Sequence, residues 1–118
     1  MLAHPEVLSL TADDVATWLT RVAVVEGRVV GFSQLSEHED RLELEGLFVA
    51  PDHMRHGIGR DLVLDAAAIA RTNGRDSIEV TANGHALGFY QRMGFVDIGT
   101  EVTPLGVTAK RMRRATAR

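Results

Sequence analysis

Leu44-Glu45-Gly46-Leu47-Phe48-Val49-Ala50-Pro51-Asp52-His53-Met54-Arg55-His56-Gly57-Ile58-Gly59-Arg60-Asp61-Leu62-Val63-Leu64-Asp65 runs from an apolar strand through a proline stop and a basic, glycine-bearing loop into a helix. Leu42, Leu44, Leu47, Phe48 and Val49 read as a buried strand, and Pro51 ends it because proline removes a ladder donor. From Ile58 the apolar period changes from two to nearly four, with Ile58, Leu62, Ala66 and Ile69 on one helical face. A loop entering a helix N-terminus offers unpaired backbone N–H groups and the positive end of the dipole, which together make an anion site. Gly57 and Gly59 let the backbone approach a ligand, and Arg55 and Arg60 add charge. Taken alone, a G-x-G reads first as a tight loop with solvated arginines. The G-x-x-x-x-G-K-[ST] loop is absent, and no third glycine follows at dinucleotide spacing.

A second motif lies downstream in Asn83-Gly84-His85-Ala86-Leu87-Gly88-Phe89-Tyr90-Gln91-Arg92-Met93-Gly94-Phe95. Val49-x-Pro51 leading to Gly57-Ile58-Gly59, then Asn83-x-x-Ala86-x-x-Phe89-Tyr90-x-x-x-Gly94-Phe95, resembles the GNAT superfamily of acyl-CoA-dependent N-acyltransferases in both order and spacing. The resemblance runs from about Val22 to Met112. It implies that Met54, Arg55, His56, Gly57, Ile58, Gly59 and Arg60 hold the pyrophosphate of acetyl-CoA, the acyl donor and co-substrate. It implies further that the strand residues Leu47, Phe48 and Val49 hold the pantetheine arm, with Asn83 and Tyr90 nearby. Met54 stands where the family pattern has glutamine or arginine, so CoA binding is expected to lose a charged hydrogen bond, roughly 1–3 kcal/mol.

Composition sets limits on this reading. The 118 residues suit one domain with a real core, residues 1–118, and are too few for two. With 45% apolar and 25% charged residues the chain has ordinary soluble composition, without an apolar run of membrane-spanning length. The opening Met1-Leu2-Ala3-His4-Pro5 lacks signal-peptide character, so a cytoplasmic protein is expected. Zero cysteines exclude disulfides, thiolate metal sites and a cysteinyl acyl-enzyme. The net charge of −3 hides a basic end, Lys110, Arg111, Arg113, Arg114 and Arg118. Without interleaved aromatics this run makes nucleic acid an improbable partner and reads as a last strand followed by a solvated terminus.

Taken in order, Val7–Leu10 forms a short strand, and Thr11 caps a helix carrying Asp13 and Asp14 in its first turn and ending by Thr20. Leu10 and Val15 stand at staple positions, and Trp18 joins Val15 and Leu19 on a packing face. Arg21–Glu26 and Arg28–Leu35 form a hairpin about Gly27, and Arg41–Ala50 is the third strand of the meander. In that strand Glu43 and Glu45 alternate outward as a wet face until the phase breaks at Gly46, which marks a bulge. The helix from Arg60 to Thr72 stops at Asn73-Gly74, Ser77–Ala82 is a strand, and a second helix follows Asn83 and closes at Gly94. Phe95–Gly99 and Val107–Met112 make the last hairpin. The expected fold is α/β (α+β): one mixed sheet, an antiparallel meander and then a central parallel pair, flanked by helices. The resemblance adds a V-shaped opening between the central strands. It also implies that one helix replaces the usual pair before the first hairpin, leaving the acceptor pocket unread.

Acetylating an amine needs a base for the ammonium proton, an oxyanion donor and an acid for the departing thiolate. By the resemblance, Glu45 is the base, a backbone N–H near Val49 the oxyanion donor and Tyr90 the acid. The bland alternatives are a wet-face carboxylate for Glu45 and core packing beside Phe89 for Tyr90. Asn83 caps its helix or binds ligand. His38 reads as part of a solvated loop tip, and His53, His56 and His85 form no dense metal spacing, so no metal is expected. The function implied is acetyl transfer from acetyl-CoA to a primary amine. The alternative is an acyl-CoA-binding or sensor module on the same fold. A homodimer is expected from apolar surface left uncovered around Trp18.

Overall fold

The computed structural model describes residues 6–11 and 18–116. Its elements are β1 (Glu6–Thr11), β2 (Trp18–Val25), β3 (Arg28–Glu37), β4 (Leu42–Val49), α1 (Ile58–Thr72), β5 (Ser77–Ala82), α2 (Gly84–Arg92), β6 (Val96–Val102) and β7 (Thr108–Ala115). The strands form one seven-stranded sheet in the order β1-β2-β3-β4-β5-β7-β6. Among the described strands only β4 and β5 pair in parallel, because the α1 crossover between them carries the chain back to start in the same direction. The expected meander, central parallel pair and terminal hairpin are all present.

Local chemistry accounts for the connections. Glu26 (φ 51°) and Gly27 (φ 78°) turn the β2–β3 hairpin with two successive left-handed residues, the geometry that suits strand twist. Helix α1 ends at Asn73 with Gly74 left-handed: the Gly74 amide donates to the Arg71 carbonyl and the Arg75 amide to that of Ala70. Helix α2 ends the same way at Gly94, and the Phe95 amide donates to the Tyr90 carbonyl.

The helix expected after Thr11 does not reach Thr20. Trp18, Leu19 and Thr20 open β2, paired with Ser36, Leu35 and Gln34. The run Trp18–Val25 is rich in β-branched residues, and two partner strands satisfy its backbone. Thr11, the expected cap, closes β1 and pairs with Leu19; the turns expected after it, residues 12–17, and the side chain of Trp18 lie outside what is described.

Both helices lie on one face of the sheet. Leu35, Leu44, Ile78, Val80 and Met112 join Val63, Ala66, Ala67 and Ala70 of α1 and Tyr90 of α2 in a single buried cluster. A second cluster joins Ala23 and Val30 to Ile58 and Leu62. The alanines bring α1 close to the strands, and Gly31 allows closer approach still: a Cβ there would stand 2.7 Å from the Phe48 carbonyl oxygen.

The opposite face is polar and holds a correction. Glu43 is not on a wet face but is buried, with 4% of its surface exposed. Arg111 of β7 places Nη1 2.6 Å from Glu43 Oε2 and 2.6 Å from Thr81 Oγ1, and Nη2 2.7 Å from Glu79 Oε1. Arg41 donates to Glu43 from the other side. The last strand therefore carries the basic run further into the sheet than expected, as far as Ala115: Arg111 clips three strands, and Arg114 donates to the Met93 carbonyl, while Arg118 lies outside the described residues.

Candidate active site

The central feature is a parting of strands. β4 and β5 pair only through Leu42↔Ile78, Glu43↔Glu79 and Leu44↔Val80. Beyond that point β4 stays on β3 and β5 stays on β7, so the two diverge. The parting begins at the irregularity expected near Gly46. Gln34 pairs with Gly46 but Leu35 with Leu44, which leaves Glu45 as the extra residue of a bulge. The Ala50 amide donates to the Val30 carbonyl on the β3 side. Alternation then turns the amides of Leu47 and Val49 toward the opening, where β5 no longer meets them.

At the far end of this opening stands the basic loop. Arg55 (φ 67°) and Gly57 (φ 83°) are left-handed, and Gly57 is the N-cap of α1 with no side chain capping the helix. The first amides of α1 are thus without intrahelical partners, and a Cβ on Gly57 would meet nothing within 4 Å. That combination fits a phosphate group. Gly59 answers to a different constraint: its Cβ would stand 3.2 Å from the Phe89 ring, so it brings α1 against α2.

A cleft of about 460 Å³ connects the loop to the parted strands. Of the residues singled out in the sequence, it brings together Leu47, Val49, Met54, Arg55, Gly57, Gly59, Arg60 and Tyr90. Ala86, Phe89 and Arg92 complete the wall. Arg92 was not foreseen as a site residue; its signal was the three-residue step from Phe89 along α2, which puts both on one side. Met54 is 55% exposed and offers the cleft a thioether in place of a charged donor.

Other singled-out residues lie off the cleft. Phe48 is exposed and stacks on Phe32, ring centroids 5.6 Å apart. The Ile58 side chain is in the core, leaving only its amide for ligand. His56, Asn83 and His85 are exposed. Asn83 caps α2, its Oδ1 accepting from the Ala86 amide at 3.2 Å, which leaves its amide nitrogen free to donate elsewhere. Among the described residues there is no cluster of three or more His, Cys, Asp or Glu that could hold a metal ion.

Tyr90 is 5% exposed and packs edge-on against Phe89 and Phe95, yet it also lines the cleft. Burial pushes its phenol from the ordinary 10.0 up to about 12. On the sheet's other face, where the strands part, Glu45 accepts a hydrogen bond from Ser36 Oγ. Ser36 Oγ lies 2.9 Å from His38 Nε2, which is 3.5 Å from Glu45 Oε2. Ser36 escaped the sequence reading because the Glu45 bulge alone brings it to the carboxylate.

A mixed sheet split between parallel strands, with an uncapped helix N-terminus at the mouth of the split, is the architecture of the acyl-CoA N-acyltransferase class of fold. Residues 11–116 match the sequence model of the acetyltransferase (GNAT) domain, and the chain belongs to that family. It is 41% identical over 88 residues to streptothricin acetyltransferase of Streptomyces lavendulae, an alignment covering 70% of this chain and 47% of that one. The chain thus spans about half the length of that relative. Among solved structures, it superposes on nourseothricin acetyltransferase with a TM-score of 0.76 at 24% identity, covering 98% of this chain and 86% of that one. A GNAT family acetyltransferase from Elizabethkingia anophelis, solved with acetyl-CoA bound, superposes with a TM-score of 0.83 at 13% identity, covering 95% and 98%. No helix among the described residues is long and apolar enough to cross a membrane.

Proposed function

We propose that the chain, working as a single domain, transfers an acetyl group from acetyl-CoA to a primary amine by direct attack. The observation that carries this is the cleft running from an uncapped helix N-terminus to the parting of β4 and β5 with Tyr90 in its wall. Arg55, Arg60 and the amides of Ile58, Gly59 and Arg60 would hold the pyrophosphate, with Arg92 adding charge. The outward amides of Leu47 and Val49 would bond the pantetheine arm and the carbonyl oxygen. Bound acetyl-CoA supplies the activated acyl group. Glu45 takes the ammonium proton of the acceptor, and Tyr90, kept protonated by its burial, gives its phenolic proton to the departing sulfur.

The acceptor is argued from similarity: streptothricin heads the panel because a relative 41% identical over 88 residues is named for it. Calorimetric titration with acetyl-CoA, followed by mass spectrometry of streptothricin, polyamines and peptide amines incubated with protein and acetyl-CoA, tests the reading. We expect saturable binding and an amine product heavier by one acetyl group. Binding without any acetylated product across the panel would favour the acyl-CoA sensor instead. A homodimer also belongs to this reading, supported by the edge strand β6, where Val96 and Val102 are 62% and 68% exposed. Sedimentation showing monomer alone at high micromolar concentration would reject it.

A further inference from the structure

We propose that Phe48, backed by Phe32, is the wall on which the acceptor lays its carbon skeleton, and that the acceptor is a primary amine at the end of a methylene chain; this rests on the transfer reading, with Glu45 at the ammonium end. Phe32 and Phe48 pair across β3 and β4 on the face away from the helices, their ring centroids 5.6 Å apart and their planes 28° from parallel. They are 37% and 48% exposed. Phe32 covers one flank of the Phe48 ring. On the other flank β5 would be the next strand, but its pairing with β4 ends at Leu44↔Val80, so no described strand faces that flank. Alternation along β4 therefore puts Phe48 on the border of the split, on the side opposite the cleft that Leu47 and Val49 line.

Between Glu45 and Phe48 the surface is bare. Gly46 pairs with Gln34 as Phe48 pairs with Phe32, so Gly46 and Phe48 share a face. Neither a left-handed backbone nor a clash calls for glycine there, because a Cβ would meet only Gln34 Oε1, at 3.8 Å. Its missing side chain leaves an open strip with a carboxylate at one end and an aromatic ring at the other.

An occupant suited to both ends carries a charge with apolar surface behind it. Glu45 is exposed to an incoming cation. Arg41 and Arg111, on the same face, are engaged by Glu43, which leaves Glu45 beside the partly exposed His38. A methylene stem packs on apolar surface while its charged head stays in polar surroundings. Three residues of strand span roughly 10 Å, the length of several methylenes. With its nitrogen at Glu45, a short amine stops over Gly46 and a long one reaches Phe48.

The test is steady-state acetylation of ethylamine, butylamine and hexylamine by the natural protein, Phe48→Ala and Gly46→Leu. For the natural protein kcat/KM should rise with chain length, roughly two- to fourfold for each methylene that packs on the ring. Phe48→Ala should flatten that slope by raising KM for hexylamine, while acetyl-CoA affinity, read by calorimetry, is unmoved. Gly46→Leu fills the strip and should cost hexylamine more than ethylamine. A slope absent from the natural protein, or one that survives Phe48→Ala, would overturn the wall and leave acetyl transfer standing. So would acetylated peptide amines or streptothricin with no alkylamine among the products. Phe48→Ala that changes only sedimentation, from dimer to monomer, would give the aromatic pair to a second copy of the chain instead. No acetylated product from any amine would remove the transfer reading and the wall together. Gly46→Leu starts from an ordinary contact, so its selectivity decides the matter even if Phe48→Ala fails to fold.

Discussion

At Tyr90 packing and chemistry draw on the same side chain. Its ring contacts Phe95, the residue that also closes the end of α2 with its amide, while its place in the cleft wall leaves it available to a thiolate. The sequence reading posed acid and core packing as alternatives, and geometry makes them compatible. Tyr90→Phe keeps the ring, so we expect acetyl transfer to fall roughly 10²–10⁴-fold while acetyl-CoA affinity, read by calorimetry, barely moves. The raised pKa also has a sign in stability. The folded value of about 12 lies above the ordinary 10.0, so its contribution is complete below the unfolded value and is lost as pH rises through the folded one. Melting temperatures followed from pH 9 upward should therefore fall more steeply for the natural protein than for Tyr90→Phe. Glu43 marks the limit of residue-level reading. Alternation correctly put it opposite Leu42 and Leu44, but nothing local showed that Arg111, far along the chain, would cover it.

Among the elements, strands and turns with their own local signals were legible: the Gly27 hairpin, the β4 bulge, the Asn73-Gly74 stop and β5 all lie where the residues put them. The places of Thr11 and Trp18 were not, because Thr11 followed by acids looks like a cap while the pairing that puts Thr11 in β1 and makes Trp18–Val25 a strand comes from distant partners. The two glycines of the loop also separate at this scale. Gly59 faces the Phe89 ring at 3.2 Å, so Gly59→Val would push α1 from α2 before it tested any ligand. Arg60→Ala leaves that packing intact. We expect it to weaken acetyl-CoA binding by about 10-fold or more, the worth of a charged hydrogen bond, without changing the melting temperature. Gly31→Ala should destabilise by roughly 1–3 kcal/mol in urea unfolding, because its Cβ would meet the Phe48 carbonyl at 2.7 Å with Ile58 and Leu62 behind it.

In the whole molecule, mixed topology was readable because each connection carried its own signal, whereas the allocation of both helices to one face was not. That allocation depends on which surfaces meet, as Ala66, Tyr90 and Met112 do in one cluster. The same arrangement leaves Glu43, Glu79 and Arg111 across the one place where the two halves of the sheet join. Glu43→Gln removes one member of a buried ionic group, and we expect a loss of roughly 3 kcal/mol by denaturant unfolding. The join has a mechanical consequence. With β1 to β4 on one side and β5 to β7 on the other, three residue pairs, the Arg111 guanidinium and Arg75, which donates to Glu37, act as a fulcrum under α1, and the basic loop lies at the end of a long arm. A slight rotation at Leu44 and Val80 becomes a wide excursion at the mouth. Stiffness at the fulcrum therefore sets how uniform the gap is, and a variant that slackens it should admit acetyl-CoA with lower affinity although no ligand contact has been touched.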